Sequence, residues 1–473
     1  MHTIAETDAD RLTRMLGADM VLTGPDTAPY CRDWFGDAQG AALAVLRPRD
    51  TAQVQDCVRA AAALDLGIVP QGGNTGLVLG AMPDTGQVVL SLERMTRIRA
   101  LDADNFSAVV EAGTILHDLK QAAAAEGLFF PLTLGAQGSC RIGGNVSTNA
   151  GGVNVLRYGM TRELVLGLEV VLPDGRVLDL LSGLRKDNRG IDLKQLFIGA
   201  EGTLGIITAV AVKLTPAPDR VATALVALPR LEDAITLYRR ARRECCDLMS
   251  AFEFMPPLAF TLAREARPDL TLPMADTHPA YALIEISGSG LVDIDDLMAR
   301  FLEGVFADGL ALDGVAAQSQ AQAAALWAVR EGMNEGQARR GKHLRSDVSV
   351  PLSRLAQFVA EVEAAVTAQL PGCTCVSYGH VGDGNVHLNV LPDHALGPDS
   401  VDDQISRAKG ILHQVLDRFG GSISAEHGIG RLKKADFEAR LPAPQRSLLE
   451  AIKQAVDPGR IMNPGCQFDP VKG

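Results

Sequence analysis

The sequence predicts an α+β protein of two or three domains, and three observations favour this class. Residues 42–69 alternate an apolar run, a helical pattern and a short strand. The Pro-rich stretch 215–219 then interrupts the chain after a long apolar strand. Beyond it, strands and helices alternate in an order typical of an antiparallel sheet covered by helices. With 473 residues, of which 47% are hydrophobic and 22% charged, the chain is long enough to build such cores.

The amino-terminal part shows a helix, a second helix, a hairpin and a strand in chain order. Asp50 precedes a run with apolar residues four apart, which predicts a capped helix. A second helix is predicted over about 114–126, ending at Gly127. A Pro-Asp-Gly turn between two apolar runs predicts a hairpin within 168–180. Residues 204–214 then have the pattern of a half-buried strand, and a domain boundary is expected after it.

Three strands and two helices are predicted beyond that boundary. The strands are expected at 221–228, 251–255 and 281–287, and the helices at 231–245 and 293–304. Their order favours an α+β domain with an antiparallel sheet.

Charge and terminal composition exclude several classes of protein. The net charge of −12 argues against a nucleic-acid partner, because phosphate binding requires a basic surface. Residues 1–10 lack the basic and then apolar order of an export signal, and no later stretch is apolar for long enough to cross a bilayer. A cytoplasmic protein without a membrane span is therefore expected.

The eight cysteines are expected to be reduced and structural. A chain of this length with eight cysteines does not have the density of a disulfide framework. The pairs Cys245-Cys246 and Cys373-x-Cys375 also lack the second pair of ligands that a thiolate zinc site needs.

Three glycine-rich loops indicate a phosphate-containing ligand. They are Pro70–Gly76, directly after a strand, Gly135–Gly152, and Gly199–Gly205. Glycine lets backbone N–H groups approach an anion where a Cβ atom would clash. A single such loop is usually a turn, but three within about 140 residues, two of them with Asn and hydroxyl residues, favour a dinucleotide. None fits a Rossmann or Walker pattern.

Two later segments have the composition of a metal-assisted active site. The first runs from Tyr378 to Asn389 and contains His380 and His387, and the second is Ser424-Ala-Glu-His-Gly-Ile-Gly430. Glycines between the two histidines allow both rings to face one point, which the odd spacing in a regular strand would prevent.

The adjacent Glu426 and His427 diverge in an extended segment, so Glu426 is assigned to the metal and His427 to proton transfer. Two imidazoles and a carboxylate with open positions suit Zn²⁺, and also Mn²⁺ or Fe²⁺, with zinc favoured. A lone histidine would more often be structural, but a cluster of this kind favours function.

The glycine loops resemble the FAD-binding domain of the vanillyl-alcohol oxidase and p-cresol methylhydroxylase superfamily. The likeness spans roughly residues 38–216 and rests on Pro70–Leu77, Gly135–Gly159 and Leu196–Gly205. It implies a flavin between two α+β subdomains, with backbone amides of 70–76 and 138–152 on its phosphates and ring. Members with covalent flavin have a histidine in the first loop, whereas this chain has Gln71-Gly-Gly-Asn74, so a non-covalent FAD is predicted.

The cofactor-binding residues that this resemblance implies are Pro70, Gln71, Gly72, Gly73, Asn74, Thr75, Gly76, Gly135, Gly138, Ser139, Gly143, Gly144, Asn145, Ser147, Thr148, Asn149, Gly151, Gly152, Tyr158, Glu201, Gly202, Gly205, Ile206, Ile207 and Asn463.

The carboxy-terminal half resembles the flavin-dependent D-2-hydroxyacid dehydrogenases, a branch with D-lactate, glycolate and D-2-hydroxyglutarate enzymes, and is most similar to the hydroxyglutarate group. Its substrates are anions, and the planar fork of an arginine suits a carboxylate. Leu326–Glu331 resembles the family segment that supplies it, which makes Arg330 the first choice. Arg345 stands where the family usually has Lys, and Asn334 where the hydroxyglutarate enzymes tend to have Thr. Whether the substrate has a second carboxylate, and what it is, is therefore left open.

Asn389, on the same strand face as His387, is a further candidate substrate donor. Surface or salt-bridge roles are the alternative for the arginines.

Taken together, the resemblances imply three regions and one reaction. Residues 1–218 are assigned to FAD binding, 219–420 to a substrate or cap domain, and 421–473 to a segment that returns to the FAD domain. The implied reaction oxidises a D-2-hydroxyacid to a 2-oxoacid, with D-2-hydroxyglutarate favoured over D-lactate or glycolate. The implied electron acceptor is an electron-transfer flavoprotein or a quinone, and a homodimer is compatible with the sequence. A metal-dependent hydrolase and a non-enzymatic flavin- or metal-binding module are the alternatives from other classes.

Overall fold

The computed structural model describes residues 6–468, which form two compact units. The first unit contains the described residues up to Gly152, Gly159–Ala217 and those from Glu426 onward. The second contains Val153–Tyr158 and Pro218–Ala425. The domain bounds predicted after residues 218 and 420 stay predictions. Residues 1–5, which contributed to the prediction that no export signal is present, lie outside the described part of the chain.

The strands of the first unit are mostly short. They are β1 (Val21–Leu22), β2 (Ala44–Leu46), β3 (Ile68–Gln71), β4 (Val88–Ser91), β5 (Ile98–Asp102), β6 (Ser107–Glu111), β7 (Leu128–Phe129), β8 (Val165–Val171), β9 (Val177–Asp179), β10 (Ile206–Lys213) and β11 (Thr215–Pro216). Its helices are α1 (Asp8–Leu16), α2 (Thr51–Ala63), α3 (Leu116–Ala125), α4 (Ile142–Ser147), α6 (Thr161–Leu164), α13 (Lys434–Arg440) and α14 (Ala443–Val456), while α5 (Val155–Tyr158) belongs to the second unit.

Two sheets make up most of the strand structure of the first unit. One has the order β1-β2-β4-β3, in which β2, β4 and β3 run parallel. The other is antiparallel with the order β5-β6-β10-β8-β9. Asp50 caps α2 by accepting the backbone N–H of Gln53, and the predicted hairpin is formed by β8 and β9.

The C-terminal segment returns to the first sheet. The N–H of Ile68 donates to the carbonyl of Ile461 at 2.7 Å, and the N–H of Asn463 donates to the carbonyl of Ile68 at the same distance. Lys453 stabilises the C-terminal end of α14: its buried ammonium group donates a hydrogen bond to the Asp457 carboxylate at 2.7 Å. The segment therefore extends the edge of the sheet next to β3.

The second unit is built on one antiparallel sheet of seven strands. They are β12 (Arg220–Leu228), β13 (Met249–Met255), β14 (Ala280–Gly288), β15 (Asp313–Ala316), β16 (Val348–Ser349), β17 (Thr374–His380) and β18 (Asn385–Leu391), in the order β15-β12-β14-β13-β17-β18-β16. Its other helices are α7 (Glu232–Glu244), α8 (Leu258–Ala266), α9 (Ile294–Ala307), α10 (Gln320–Arg339), α11 (Leu355–Gln369) and α12 (Pro398–Phe419). This arrangement confirms the predicted α+β class with an antiparallel sheet in the second half.

The main core of the second unit lies where α8 and α10 cover the sheet. Phe260, Tyr281 and Val329 are buried there, and the rings of Phe260 and Tyr281 are 4.6 Å apart. A core of this kind, with side chains close-packed, fixes the position of α10 on the sheet. One face of that helix carries the polar residues described below.

Candidate active site

The three glycine-rich loops contact one another in the first unit. A Cβ atom at Gly73 would lie 2.2 Å from the carbonyl oxygen of Ser139, so only glycine permits this approach of the first loop to the second. A Cβ atom at Gly202 would lie 2.8 Å from Cγ of Pro70, and Gly202 also has a φ of 74°. The loops are therefore packed together although they are distant in the sequence.

Four glycines of these loops face open space. At Gly76, Gly135, Gly138 and Gly144 an added Cβ atom would meet no atom within 4 Å. Backbone without side chains beside open space is what an extended ligand with phosphates requires, since its oxygens can then approach N–H groups directly. The loops fit the predicted dinucleotide in this respect.

Ser147 and Thr148 use their hydroxyl protons inside the second loop. Ser147 donates to the carbonyl of Gly143 at 2.7 Å, and Thr148 donates to that of Gly144 at 3.1 Å. Their hydroxyl oxygens can still accept hydrogen bonds, but their protons are engaged in the helix. Any contact from these two residues to a ligand would therefore be as acceptors.

Two carboxylates join the segment after residue 425 to these loops. Glu201 accepts the N–H groups of Ile429 and Gly430, both at 2.8 Å. Glu426 accepts the N–H of Gly152 at 2.8 Å through Oε2. Glu201 thus anchors the backbone of this segment, and Glu426 contacts the end of the second loop within the first unit.

Gln71 and Asn463 are buried and bonded to backbone. The Gln71 amide donates to the carbonyls of Tyr30 and Ala81 at 2.9 and 3.1 Å. The Asn463 amide donates to the carbonyls of Gly80 and Glu201 at 2.9 and 2.7 Å. Both side chains therefore hold the loops together, and their predicted contacts with a flavin stay predictions.

The other predicted cofactor residues fall in both units. Tyr158 lies in α5 of the second unit, and the rest lie in the first unit: Gly72, Asn74, Thr75, Gly143, Asn145, Asn149, Gly151, Gly205, Ile206 and Ile207.

In the second unit, a hairpin brings the two predicted metal ligands together. His380 ends β17 and His387 lies in β18, and their ring centroids are 5.8 Å apart. Gly384 forms the turn with a φ of 69°, and a Cβ atom there would lie 2.2 Å from the carbonyl oxygen of Val350. As expected from the sequence, glycine in the turn is what lets the two rings lie close to each other.

The ring nitrogens of both histidines are suited to bind a metal. His380 Nδ1 contacts the carboxylate of Glu253, and His387 Nδ1 lies 3.4 Å from the carbonyl oxygen of Ser346. Both neighbours are hydrogen-bond acceptors, which in a neutral ring favours the proton on Nδ1 and the lone pair on Nε2. This is the usual arrangement for imidazoles that bind a metal through Nε2.

Arg330 is held in the same polar cluster. It lies on α10 and is buried, its Nε donates to Glu253 at 2.7 Å, and its guanidinium lies over the ring of Tyr378 at 4.6 Å. Burial alone would raise the pKa of Glu253, but His380 and Arg330 together hold that pKa well below its usual value. Glu253 is thus a buried carboxylate that contacts a predicted metal ligand and a predicted substrate ligand.

Asn334 and Asn389 belong to a network around Tyr378. The Tyr378 hydroxyl donates to Asn334 Oδ1 at 2.5 Å and accepts from Asn389 Nδ2 at 3.2 Å. Asn389 also donates to Gln337 at 2.9 Å and accepts the N–H of Ser346 at 2.9 Å. Arg330, Asn334 and Gln337 share one face of α10, since they are four and three residues apart.

Arg345 is partly exposed in the segment before β16, and His427 is partly exposed in the first unit. Their predicted roles in substrate binding and proton transfer stay predictions.

Sequence reasoning missed Glu253, Gln337 and Ser346. A signal was present for Glu253, since it is the only charged residue in Met249–Met255 and every residue of that strand is buried. A charge in a fully buried strand is rarely tolerated without partners and therefore indicates a specific role. Gln337 and Ser346 gave no such signal.

The first unit has glycine loops with backbone next to open space, and the second unit carries two neighbouring histidines and a buried arginine, features that suit a flavin-dependent oxidoreductase. The comparisons with known proteins agree: residues 42–181 match the family described as FAD binding domain, and residues 217–466 match FAD linked oxidases, C-terminal domain. The chain belongs to the FAD-linked oxidases, and it is an FAD-dependent oxidoreductase.

Similar proteins cover nearly the whole chain. The mitochondrial D-2-hydroxyglutarate dehydrogenase of Bos taurus is 38% identical over 461 residues, 98% of this chain and 83% of the relative. The D-2-hydroxyglutarate dehydrogenase of Xanthomonas citri pv. viticola is 40% identical over 449 residues, 94% of this chain and 93% of the relative.

Solved structures confirm the predicted fold. p-Cresol methylhydroxylase with substrate bound has a TM-score of 0.75 at 20% identity, covering 98% of this chain and 96% of that one. Among the described residues, no helix is both long and apolar enough to pass through a lipid bilayer.

Proposed function

We propose that this chain oxidises a D-2-hydroxyacid to the 2-oxoacid with FAD and a divalent metal, and that D-2-hydroxyglutarate is the substrate. The two relatives that carry this activity in their names support the choice of substrate. The observation that carries the proposal is the cluster of the second unit. Two imidazoles, each with Nδ1 next to a hydrogen-bond acceptor, lie close together near a buried arginine, and a 2-hydroxyacid offers a hydroxyl and a carboxylate to such a set.

The metal ligands in this proposal are His380, His387 and Glu426. Zinc is favoured, and manganese or iron would also suit two imidazoles and a carboxylate. A metal bound there would lower the pKa of the 2-hydroxyl as it does that of a bound water. His427 takes the hydroxyl proton, and this side chain is partly exposed, so the proton can pass on to solvent.

Arg330 binds and orients the carboxylate next to the reacting carbon. Its Nε is bound to Glu253 and its face lies on Tyr378, so its orientation is fixed before substrate arrives. The candidates for binding the remaining part of the hydroxyacid are Arg345, Asn334 and Asn389. The glycine loops would hold FAD without a covalent bond, and FAD would supply the oxidant for the hydride lost from C2.

The electron acceptor, an electron-transfer flavoprotein or a quinone, is a prediction from the family resemblance. The cytoplasmic location also stays a prediction, since the name of the bovine relative includes the word mitochondrial.

Anaerobic reduction of the bound flavin tests the proposal. Purified protein is mixed with the D and L forms of 2-hydroxyglutarate, malate and lactate, and with glycolate, and the flavin absorbance is followed. We expect D-2-hydroxyglutarate to bleach the flavin fastest and its L form to leave it oxidised. Faster bleaching by D-lactate or glycolate would replace the proposed substrate, and no bleaching by any hydroxyacid would overturn the proposed reaction.

The same assay tests the metal. Dialysis against a chelator should stop bleaching, and added Zn²⁺ or Mn²⁺ should restore it. Unchanged bleaching after the metal content has fallen to zero would remove the metal from the reaction.

A further inference from the structure

Glu253 is a buried carboxylate at the centre of the sheet of the second unit. It lies on β13 in direct cross-strand register with His380 of β17, and its side chain is completely buried. Its six neighbours in the strand are Met, Ser, Ala, Phe, Phe and Met. A buried ion pair is seldom more stabilising than apolar side chains of the same volume, so packing does not explain a carboxylate here.

The two oxygens of this carboxylate have different partners. Oε1 contacts Nδ1 of His380, and Oε2 accepts from Nε of Arg330 at 2.7 Å. The first contact keeps the His380 proton on Nδ1, because an ionised carboxylate only accepts hydrogen bonds. The second contact fixes the guanidinium, whose face lies on the Tyr378 ring.

We propose that Glu253 is a positioning residue that sets the tautomer of His380 and the orientation of Arg330 together. The proposal deepens the proposed function, on which it rests for the roles of His380 and Arg330. Because one rigid carboxylate holds both side chains, the metal ligand and the substrate-binding arginine keep a fixed geometry relative to each other. Holding such groups in place before substrate binds is what carboxylates behind metal-binding histidines do.

Glu253→Gln separates the two contacts. Glutamine has one accepting oxygen, and the charged guanidinium of Arg330 is the stronger donor for it. The amide NH₂ group then faces His380 and donates to Nδ1, which moves the imidazole proton to Nε2. The lone pair that a metal would use is lost in that tautomer.

The His380 tautomer is measured first, in metal-free protein. Histidine is labelled with ¹⁵N, and the ring signal of His380 is assigned by its loss in His380→Asn. We expect the Nδ1–H form in the wild type and the Nε2–H form in Glu253→Gln. An Nε2–H form in the wild type would overturn the proposal, and this outcome needs no variant of Glu253 to fold.

Metal affinity is measured second, by competition of Zn²⁺ between the holoprotein and a chromophoric chelator. We expect Glu253→Gln to bind Zn²⁺ 10- to 100-fold more weakly than the wild type, as loss of such a partner usually does. The control is Glu285→Gln, whose carboxylate lies on β14 of the same sheet and accepts Trp327 Nε1 of the same helix α10 at 2.9 Å. Glu285→Gln should bind Zn²⁺ like the wild type.

These measurements distinguish failure of the inference from failure of the proposed function. A folded Glu253→Gln protein with an unchanged tautomer and unchanged Zn²⁺ affinity would overturn the role of Glu253 alone. A wild type with the Nδ1–H tautomer that binds no Zn²⁺ or Mn²⁺ would instead overturn the metal part of the proposed function.

Discussion

Asn389 uses both ends of its side-chain amide inside the second unit. Its oxygen accepts the N–H of Ser346, and its nitrogen donates to Gln337 and to the Tyr378 hydroxyl. The side chain is buried, and these partners are too. From the sequence it was a candidate substrate donor, whereas its contacts in the structure connect β18 to α10 and to the segment before β16.

Asn389→Ala should therefore reduce stability. It leaves the Ser346 N–H and the Gln337 oxygen buried without this partner, and each such loss costs about 1–3 kcal/mol. Unfolding in urea, followed by circular dichroism, measures the change in free energy. The exposed Asn188→Ala is the control and should unfold like the wild type. Normal stability together with a raised KM would instead make Asn389 a substrate ligand without a structural role.

His427→Ala tests the proton acceptor separately from cofactor binding. FAD should stay bound, while substrate should reduce it about 10²–10⁴-fold more slowly, the usual contribution of a general base. Stopped-flow measurement of flavin absorbance under anaerobic conditions gives the rate. His278→Ala serves as the control, since His278 lies beside Asp313 and Tyr281 in the second unit. A normal rate in His427→Ala would exclude this residue as the base.

Individual residues show which parts of the site the sequence could predict. His380 and His387 could be proposed as metal ligands from their residue type and their spacing among glycines, whereas Arg330 was proposed from the resemblance of Leu326–Glu331 to a family segment. Glu253 was missed because its partners lie 77 and 127 residues away, and pairing of β13 with β17 is a long-range property. Side-chain partners across a sheet follow from register, which a strand pattern does not specify.

The helices and strands could be predicted closely from local sequence patterns. The helix predicted over 114–126 is α3, Leu116–Ala125, and it is followed by Gly127 with a φ of 69°. The strand predicted at 281–287 is β14, Ala280–Gly288. Capping residues, glycines after helices and apolar alternation are local signals, so they can be recognised without knowledge of the fold. The seven-stranded order of the sheet is not local and was not predicted.

Helix α11 carries Glu363, whose ionised form is disfavoured by burial. Burial raises the pKa of Glu363, although its hydrogen bond from Ser377 at 2.6 Å acts in the opposite direction. Its folded pKa lies above the ordinary value of 4.5, so this group favours folding below that pH. That contribution is lost as the pH rises through the folded pKa.

Glu363→Gln should therefore become more stable relative to the wild type as the pH rises from 4.5 towards neutrality, because glutamine does not ionise. Unfolding free energies between pH 4.5 and 7.5 measure this trend. Glu361→Gln on the same helix is the control: the bond from Arg418 lowers the pKa of Glu361, so its contribution changes mainly below pH 4.5 and this variant should follow the pH dependence of the wild type above it. Equal pH dependence in Glu363→Gln and the wild type would contradict the raised pKa.

The β17–β18 hairpin depends on glycine at its turn. Alanine at Gly384 would be strained by the φ of 69° and would also bring a Cβ to 2.2 Å from the Val350 carbonyl oxygen. Gly420 has a φ of 65° in the same left-handed region but no atom within 4 Å of an added Cβ, so Gly420→Ala reports the strain alone. Both variants should lose about 1–2 kcal/mol of stability from the left-handed backbone.

Gly384→Ala should lose a further ~1–3 kcal/mol from the close contact, because the neighbouring backbone must move. Unfolding free energies of the two variants give the difference directly. Equal losses in Gly384→Ala and Gly420→Ala would mean that the backbone of Val350 moves aside without cost.

At the scale of the whole molecule, the loops predicted to bind FAD come from separate parts of the first unit. The three glycine loops contact one another, and Gln71 occupies a buried position with its amide bonded to the carbonyls of Tyr30 and Ala81. The first loop contains no histidine in Pro70–Gly76. If the flavin is non-covalent, as the first loop predicts, it stabilises the protein only by binding to the folded state.

Removal of FAD should lower the stability of the chain, and its return should restore it. After denaturation in guanidinium and ultrafiltration, the flavin should be found in the filtrate, because no covalent bond links it to the protein. After refolding, FAD at 100 times its dissociation constant should add about 2.7 kcal/mol. Hydrogen exchange read by mass spectrometry should then show slower exchange in peptides covering 70–76 and 138–152, with peptides of β12 as the internal reference. A yellow retentate after denaturation would mean covalent flavin, and unchanged exchange in both loops would remove them from the cofactor site.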